Sequence, residues 1–272
     1  MMINKTSAKV MTNAEYHQHP AISKSDLDLI QRSPAYYRYC KAHEKTQTPA
    51  MLLGSVVHKL ILEPGEFDTE FVIAPACDKR TKAGKEAWTA FEALAEGRTV
   101  ISKELSEQAQ AMADAVKQHP VAGKLLQNGQ AEQSFFWDEQ GISCKCRPDY
   151  LRYDGIVLDL KTTLNASPEF FTKHSYDFRY YVQAWWYLHG LQQNGIDAQD
   201  FVFIAVEKDP PYSVCVFATD DMMFQLGERE ARKNLAVYKD CTQSGIWYDY
   251  EKMPEIHNLS LPDWVLRRMS YE

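Results

Sequence analysis

The stretch Leu158-Asp159-Leu160-Lys161 constrains this chain more than any other. It lies in an apolar run that begins at Ile156. Alternate side chains of a strand share a face, so Asp159 and Lys161 point one way while Leu158 and Leu160 point the other. Burying two charges on such a strand is costly unless a shared site compensates them, as a divalent cation and a phosphate would. In isolation the pattern also fits a partly exposed strand carrying a cross-strand ion pair.

The upstream residues sharpen the choice. Cys144 to Arg152 reads as a second strand-like segment, and Tyr153-Asp154-Gly155 as the turn of a hairpin. A two-residue turn at Asp154-Gly155 would set Asp149 opposite Leu160, on the wrong face. A three-residue loop with Gly155 left-handed sets Asp149 opposite Asp159 and Arg147 opposite Lys161, and this register is expected. Two facing aspartates repel unless a cation sits between them, and oxygen ligands suit magnesium or manganese.

Asp149, Asp159-Leu160-Lys161 and Gln183-x-x-x-Tyr187, preceded by His58 in Gly54-Ser55-Val56-Val57-His58, resemble the motif series of the PD-(D/E)xK nucleases in their RecB-like branch. The closer likeness, from about Thr12 to the C-terminus, is to the RecE (exonuclease VIII) family, through Ile22-Ser23-Lys24-Ser25-Asp26-Leu27 and Asp78-Lys79-Arg80-Thr81-Lys82-Ala83-Gly84-Lys85. The resemblance implies an α/β (α+β) fold: a central mixed sheet flanked by helices, with a restriction-endonuclease-like nuclease core over about 51–245. It implies one domain over 12–272 behind a loose segment 1–11. It implies a magnesium-dependent exonuclease that degrades linear double-stranded DNA 5′→3′ and processively. The 3′ overhangs left would serve a single-strand annealing recombinase, and the enzyme would form ring-shaped trimers or tetramers of phage or prophage origin.

In that scheme His58, Asp149, Asp159 and the backbone carbonyl of Leu160 hold Mg²⁺, with Mn²⁺ a substitute. Glu132 resembles the early acidic residue of such cores and would help Asp149 with a second ion; its other reading is an exposed strand glutamate. Lys161 positions or deprotonates the attacking water. Gln183 and Tyr187 orient Lys161 and the scissile phosphate, or else are core polar residues bonded to backbone. Two rival functions stay open. One is a RecB-like nuclease acting on single strands or internally; the other is a non-catalytic DNA clamp, whose mark would be a missing ligand or lysine.

The net charge of −7 argues mildly against a nucleic-acid partner, although carboxylates gathered for metals account for part of it. The wholly basic run Lys79, Arg80, Lys82, Lys85 is read as a DNA-backbone loop or a solvated face. Ser23, Lys24 and Arg32 of the first helix, and Arg147, are further candidate DNA contacts. Six cysteines without a C-x-x-C pair read as reduced thiols, and no iron–sulfur cluster is expected. No stretch is long and apolar enough to span a bilayer, so a cytoplasmic protein without a membrane partner is expected. Helices are expected from Ser23, over Tyr36–Tyr39 and Met51–Glu63, from Lys85 to Glu96, after Ser102, from Phe178 with Asp177 as its cap, and from about Asp220. Strands are expected at Phe71–Ile73, Ala131–Trp137, Phe201–Val206 and Ser213–Phe217.

Overall fold

The computed structural model describes residues 8, 9, 11–43 and 46–269. The chain opens with four helices, α1 (Asn13–Gln18), α2 (Lys24–Arg32), α3 (Pro34–Ala42) and α4 (Pro49–Leu62). A 3₁₀ turn and α5 (Phe67–Glu70) lead to β1 (Phe71–Ile73), α6 (Lys82–Leu94), β2 (Thr99–Ile101), α7 (Lys103–Gln118) and α8 (Ala122–Leu125). Five strands follow, β3 (Gly129–Ala131), β4 (Phe135–Glu139), β5 (Ile142–Cys146), β6 (Tyr150–Arg152) and β7 (Ile156–Thr163). Then come α9 (Pro168–Asp177), α10 (Tyr180–Gln193), β8 (Asp200–Glu207), β9 (Val214–Ala218), α11 (Asp221–Ser244) and α12 (Asp263–Met269).

The main sheet has the order β3-β6-β7-β8-β9 and is mixed: β7 and β8 run parallel, the other neighbours antiparallel. Both faces are covered, which explains the nearly continuous apolar character of β7 and β8. Val157, Phe201, Phe203 and Ala205 face a core shared with Trp186 and Val182 of α10 and Ala231 of α11. Leu158, Leu160, Val202 and Ile204 face the opposite core, with Val56 and Val57 of α4 and Met112 of α7. Asp159 and Lys161 therefore lie under α10. The aspartate is 1 % exposed.

The β6–β7 turn has the expected register, pairing Tyr150 with Leu158 and Leu151 with Val157, but the ladder ends at Tyr150 and Arg147, bonded to Ser134 and Met11, is not paired opposite Lys161 as expected. Gly155 sits at φ +89°, and its N–H donates to the carbonyl of Arg152 at 3.1 Å. A Cβ there would stand 2.4 Å from the carbonyl oxygen of Asp197, so only glycine fits. Gly227 plays a similar part where α11 crosses α10; a Cβ would lie 2.2 Å from the carbonyl of Tyr181. Gly54 is different. Its missing Cβ would meet Thr162 Oγ1 at 3.6 Å, an ordinary contact.

Three expected elements are corrected. The strand Ala131–Trp137 is two strands, β3 and β4, because Glu132 takes a left-handed backbone (φ 52°) that breaks the pleat. The segment Cys144–Arg152 is likewise divided into β5, which pairs with β4, and β6, which pairs with β7. Asp177 ends α9 rather than capping the next helix, whose N-cap is Arg179. Other expected elements stand, with Ser23, Ser102 and Asp220 as N-caps. The expected loose segment 1–11 falls mostly outside the described residues; within it, the N–H of Lys9 donates to the carbonyl of Ser134 at 2.9 Å.

The N-terminal helix is strapped to β5 and the residue after it by two inward basic side chains. Lys145 Nζ donates to the carbonyls of Tyr16 (2.5 Å) and His19 (2.8 Å), and Arg147 to those of Met11 (3.1 Å) and Thr12 (3.4 Å). Between them lies the ring of Tyr16, 4.5 Å from Lys145 Nζ and 4.2 Å from the Arg147 guanidinium carbon. Lys145→Met leaves two carbonyls without their donor, and a loss of about 1–3 kcal/mol is expected. Thermal denaturation followed by circular dichroism checks it: the midpoint should drop by several degrees, and an unchanged midpoint would show that the strap adds nothing.

Candidate metal and phosphate site

The site exists because β6 stops short. Ala131, Tyr150 and Leu158 are the last residues aligned across β3, β6 and β7, and the next residue on each is Glu132, Asp149 and Asp159. Beyond Leu158 the edge of β7 has lost its ladder partner, and buried backbone groups need replacements. Side chains supply them. The N–H of Leu160 donates to Asp149 Oδ2 at 2.7 Å, and its carbonyl lies 3.0 Å from His58 Nε2, carried in by α4.

A ring nitrogen facing a carbonyl must carry hydrogen, so neutral His58 presents the Nδ1 lone pair on its other side. Nδ1 lies 3.5 Å from Asp149 Oδ2, and Glu132 completes a cluster whose three ligand atoms lie within 4.8 Å of one another. One lone pair and two carboxylates repel unless a proton or a cation sits among them. Burial first, and the Asp149 carboxylate second, push the Glu132 carboxyl up to about 8, with Arg147 partly opposing them. One nitrogen and two carboxylate oxygens suit a divalent cation such as manganese or magnesium. The backbone of Glu132 is bent into the left-handed region and tied by its N–H to the carbonyl of Asp149 at 3.1 Å, which turns the side chain toward this cluster.

Asp159 belongs to the neighbouring half of the site. Its Oδ2 accepts a short hydrogen bond from the Gln183 amide, whose oxygen accepts from Lys161 Nζ at 3.0 Å. Lys161 Nζ lies 2.5 Å from Asp159 Oδ1, so the buried carboxylate is ion-paired on one oxygen and bonded to the Gln183 amide on the other. Burial lifts the Asp159 carboxyl to about 6 against the pull of Lys161, with Asp149 lifting it further. For Lys161 burial acts downward, but Asp159, followed by Tyr180 and Asp149, outweighs it and the shift is upward. Lys161 is thus held as an ammonium.

Tyr187 lies one turn beyond Gln183, its ring edge-on to Phe201 at 6.0 Å; burial, with Tyr16, Asp159 and Asp149 nearby, holds its hydroxyl far above the usual phenol range. Gln183→Leu removes the bridge while leaving both charges in place. A 10- to 100-fold fall in turnover, about the size of a lost outer-shell partner, is expected in steady-state kinetics. Undiminished turnover would show that the amide has no positioning role.

The expected ligand and DNA-contact residues do not all meet here. The Leu160 carbonyl uses one lone pair on His58, leaving one for an ion. Arg147 is 7 % exposed, donates to Ser134 Oγ at 2.8 Å and lies 4.0 Å from Glu132 Oε2, so it is a buried brace and not a DNA contact. Ser23 Oγ is engaged in capping α2 with Asp26. Lys24 does lie by the site: its Nζ and that of Lys161 stand 6.0 and 4.7 Å from the same ring, Tyr180. Arg32 is exposed and stacks on Tyr36 at 3.7 Å. In the turn before α6 and its first turns, Lys79 stands over Trp88, Arg80 pairs with Asp78, Lys82 lies 4.0 Å from Glu86, and Lys85 is exposed. Sequence reasoning missed Tyr16, Lys145 and Arg179. Only the paired basic residues of Lys145-Cys146-Arg147, facing inward from an apolar strand, could have hinted at the strap.

The family model for a PDDEXK-like domain of unknown function (DUF3799) matches residues 23–255. The chain belongs to this family. The fold is similar to that of the crystal structure of a "Putative exonuclease" from Eubacterium rectale. The two share 14 % identity and a TM-score of 0.65, over 95 % of this chain and 98 % of that one. Two more distant structures are SSO0001 (12 % identity, TM-score 0.28, 84 % and 87 % covered) and LHK-Exo in complex with dAMP (13 %, 0.28, 61 % and 88 %). At that score neither adds to the argument for a PDDEXK-like chain. No curated protein matches. Among the described residues no helix is long and apolar enough to cross a membrane.

Proposed function

We propose that this protein is a magnesium-dependent exonuclease of the RecE type, acting on linear double-stranded DNA. The observation that carries the reading is the junction of two half-sites across one strand edge: His58, Glu132 and Asp149 on one side of Leu160, and Asp159, Lys161 and Gln183 on the other. The first group, with the neighbouring carboxylate of Asp159, would hold the ion. When bound, a divalent cation polarises the phosphate and lowers the pKa of an attacking water. The Lys161 ammonium, fixed by Gln183, faces the charge that builds on the phosphorus oxygens as water adds and the ester oxygen leaves.

The 5′→3′ direction, processivity, rings of three or four copies, a strand-annealing partner and a phage or prophage source rest on the resemblance of the motif series. The same series, complete in all its ligands and lysine, favours an enzyme over a silent clamp. Linear duplex labelled at either end, incubated with Mg²⁺ with and without a chelator and beside a closed circle, tests the reading. Chelator-sensitive release from the 5′-labelled end with the circle intact is expected. Nicking of the circle would move the assignment to an internally cutting relative, and no metal-dependent release from any DNA would overturn it.

A further inference from the structure

Phe178 stands between α9 and α10 with 57 % of its surface exposed, and Phe170, two turns earlier on the same face of α9, is 40 % exposed. Isolated surface aromatics need no explanation. These are not isolated. Phe170 stacks on His174 (5.7 Å, 21°), His174 lies 4.3 Å from Phe178, and Phe178 lies 6.1 Å from Tyr180, the ring over which Lys161 Nζ stands at 4.7 Å. A row of rings thus runs from solvent to the lysine of the site.

The row is also held still. Arg179 adopts the left-handed region at φ 55°, a conformation that costs a non-glycine residue stability unless its surroundings enforce it. They do so here. Its guanidinium is fixed by Asp28 (3.1 Å), the carbonyl of Leu27 (3.4 Å) and Asn234 (2.6 Å). The N–H of Phe178 donates to the carbonyl of His174 at 3.0 Å, and its own carbonyl accepts from Lys24 Nζ at 3.0 Å. Five anchors on two adjacent residues present an aromatic ring to water instead of to the core.

We propose that Phe178, backed by His174 and Phe170, is a stacking platform for an unpaired nucleobase next to the phosphate that Lys161 faces. The proposal rests on the nuclease reading above and narrows its substrate to a strand whose end is frayed or single-stranded. The occupant follows from the neighbours. A flat ring suits the π-face of any base, and the Lys161 ammonium on the far side of Tyr180 suits a phosphate of the same strand rather than an apolar protein segment, while Lys24, paired with Asp28 at 2.7 Å, serves as an anchor of the platform. The two ring distances place Phe178 no more than ~11 Å from the amine, so platform and ammonium can act on the same strand end.

The test uses Phe178→Ala, Phe178→Leu and Phe178→Trp in the full chain, on duplexes carrying 2-aminopurine at each of the last three positions. Because the ring is exposed, all three variants keep the fold. Phe178→Ala should raise KM for DNA about 5- to 100-fold, the range for one lost base stack, with kcat nearly unchanged. Phe178→Trp should restore KM and Phe178→Leu should not. In the hydrolysis-blocked Asp159→Asn background, 2-aminopurine fluorescence at one terminal position should be quenched with Phe178 and not with alanine. Normal KM for Phe178→Ala with no quench, while the wild-type chain still hydrolyses DNA, overturns the platform alone. Quench without hydrolysis keeps the platform and overturns the chemistry, and loss of both takes down the two readings together.

Discussion

Lys161→Ala is expected to slow DNA hydrolysis on the order of 10²- to 10³-fold under single-turnover conditions, with divalent-cation binding retained. The ammonium is the one cationic group on the Asp159 side of the site that both Gln183 and Asp159 hold in place. Removing it takes away the charge that faces the phosphate and leaves Asp159 buried without its ionic neighbour, a state in which burial favours its protonated form. Lys161→Arg should not restore the rate, since a planar guanidinium cannot occupy the place of a compact ammonium packed over Tyr180. A rate within threefold of the wild-type value in either variant would remove Lys161 from the chemistry.

Asp149→Asn should abolish activity at low metal concentration while leaving the fold intact, because the two roles of this side chain separate. Its Oδ2 accepts from the N–H of Leu160, and the carbonyl oxygen of asparagine can accept that bond as well. What asparagine cannot supply is the negative charge opposite His58 and Glu132. Mn²⁺ affinity measured by calorimetry should fall by more than about 100-fold, beyond the effect of a lost outer-shell partner. The thermal midpoint of the cation-free protein should hold or rise as the repulsion between Asp149 and Glu132 is relieved. A large fall in that midpoint would mean that the carboxylate is there for the backbone alone.

Much of this site was legible in local chemistry. The period of two puts Asp159 and Lys161 together, and the Tyr153-Asp154-Gly155 turn fixes the register that sets Asp149 beside Asp159. Both are short-range statements about how a strand and a hairpin must be built. Glu132 could be suspected but not placed, because its position depends on a left-handed residue that no propensity demands at a glutamate. The continuous strand expected over 131–137 failed for the same reason. Arg147 was misjudged because a basic residue in sequence looks like a surface group, whereas here Ser134 and two backbone carbonyls, contributed from far along the chain, satisfy it indoors. The division between α9 and α10 was also hidden. The residues around Asp177 read as the start of one helix, and only the anchoring of Arg179 by Asp28 and Asn234 shows why the chain pauses there.

The central claim is that His58, Glu132 and Asp149 form a seat for a divalent cation beside Asp159 and Lys161. Anomalous diffraction from crystals of the wild-type protein grown with Mn²⁺ tests it most directly. The account predicts a peak in coordination distance of His58 Nδ1 and the carboxylates of Glu132 and Asp149, absent from crystals of Asp149→Asn. An empty cluster at millimolar Mn²⁺, or a peak that lies elsewhere and survives the substitution, would contradict it.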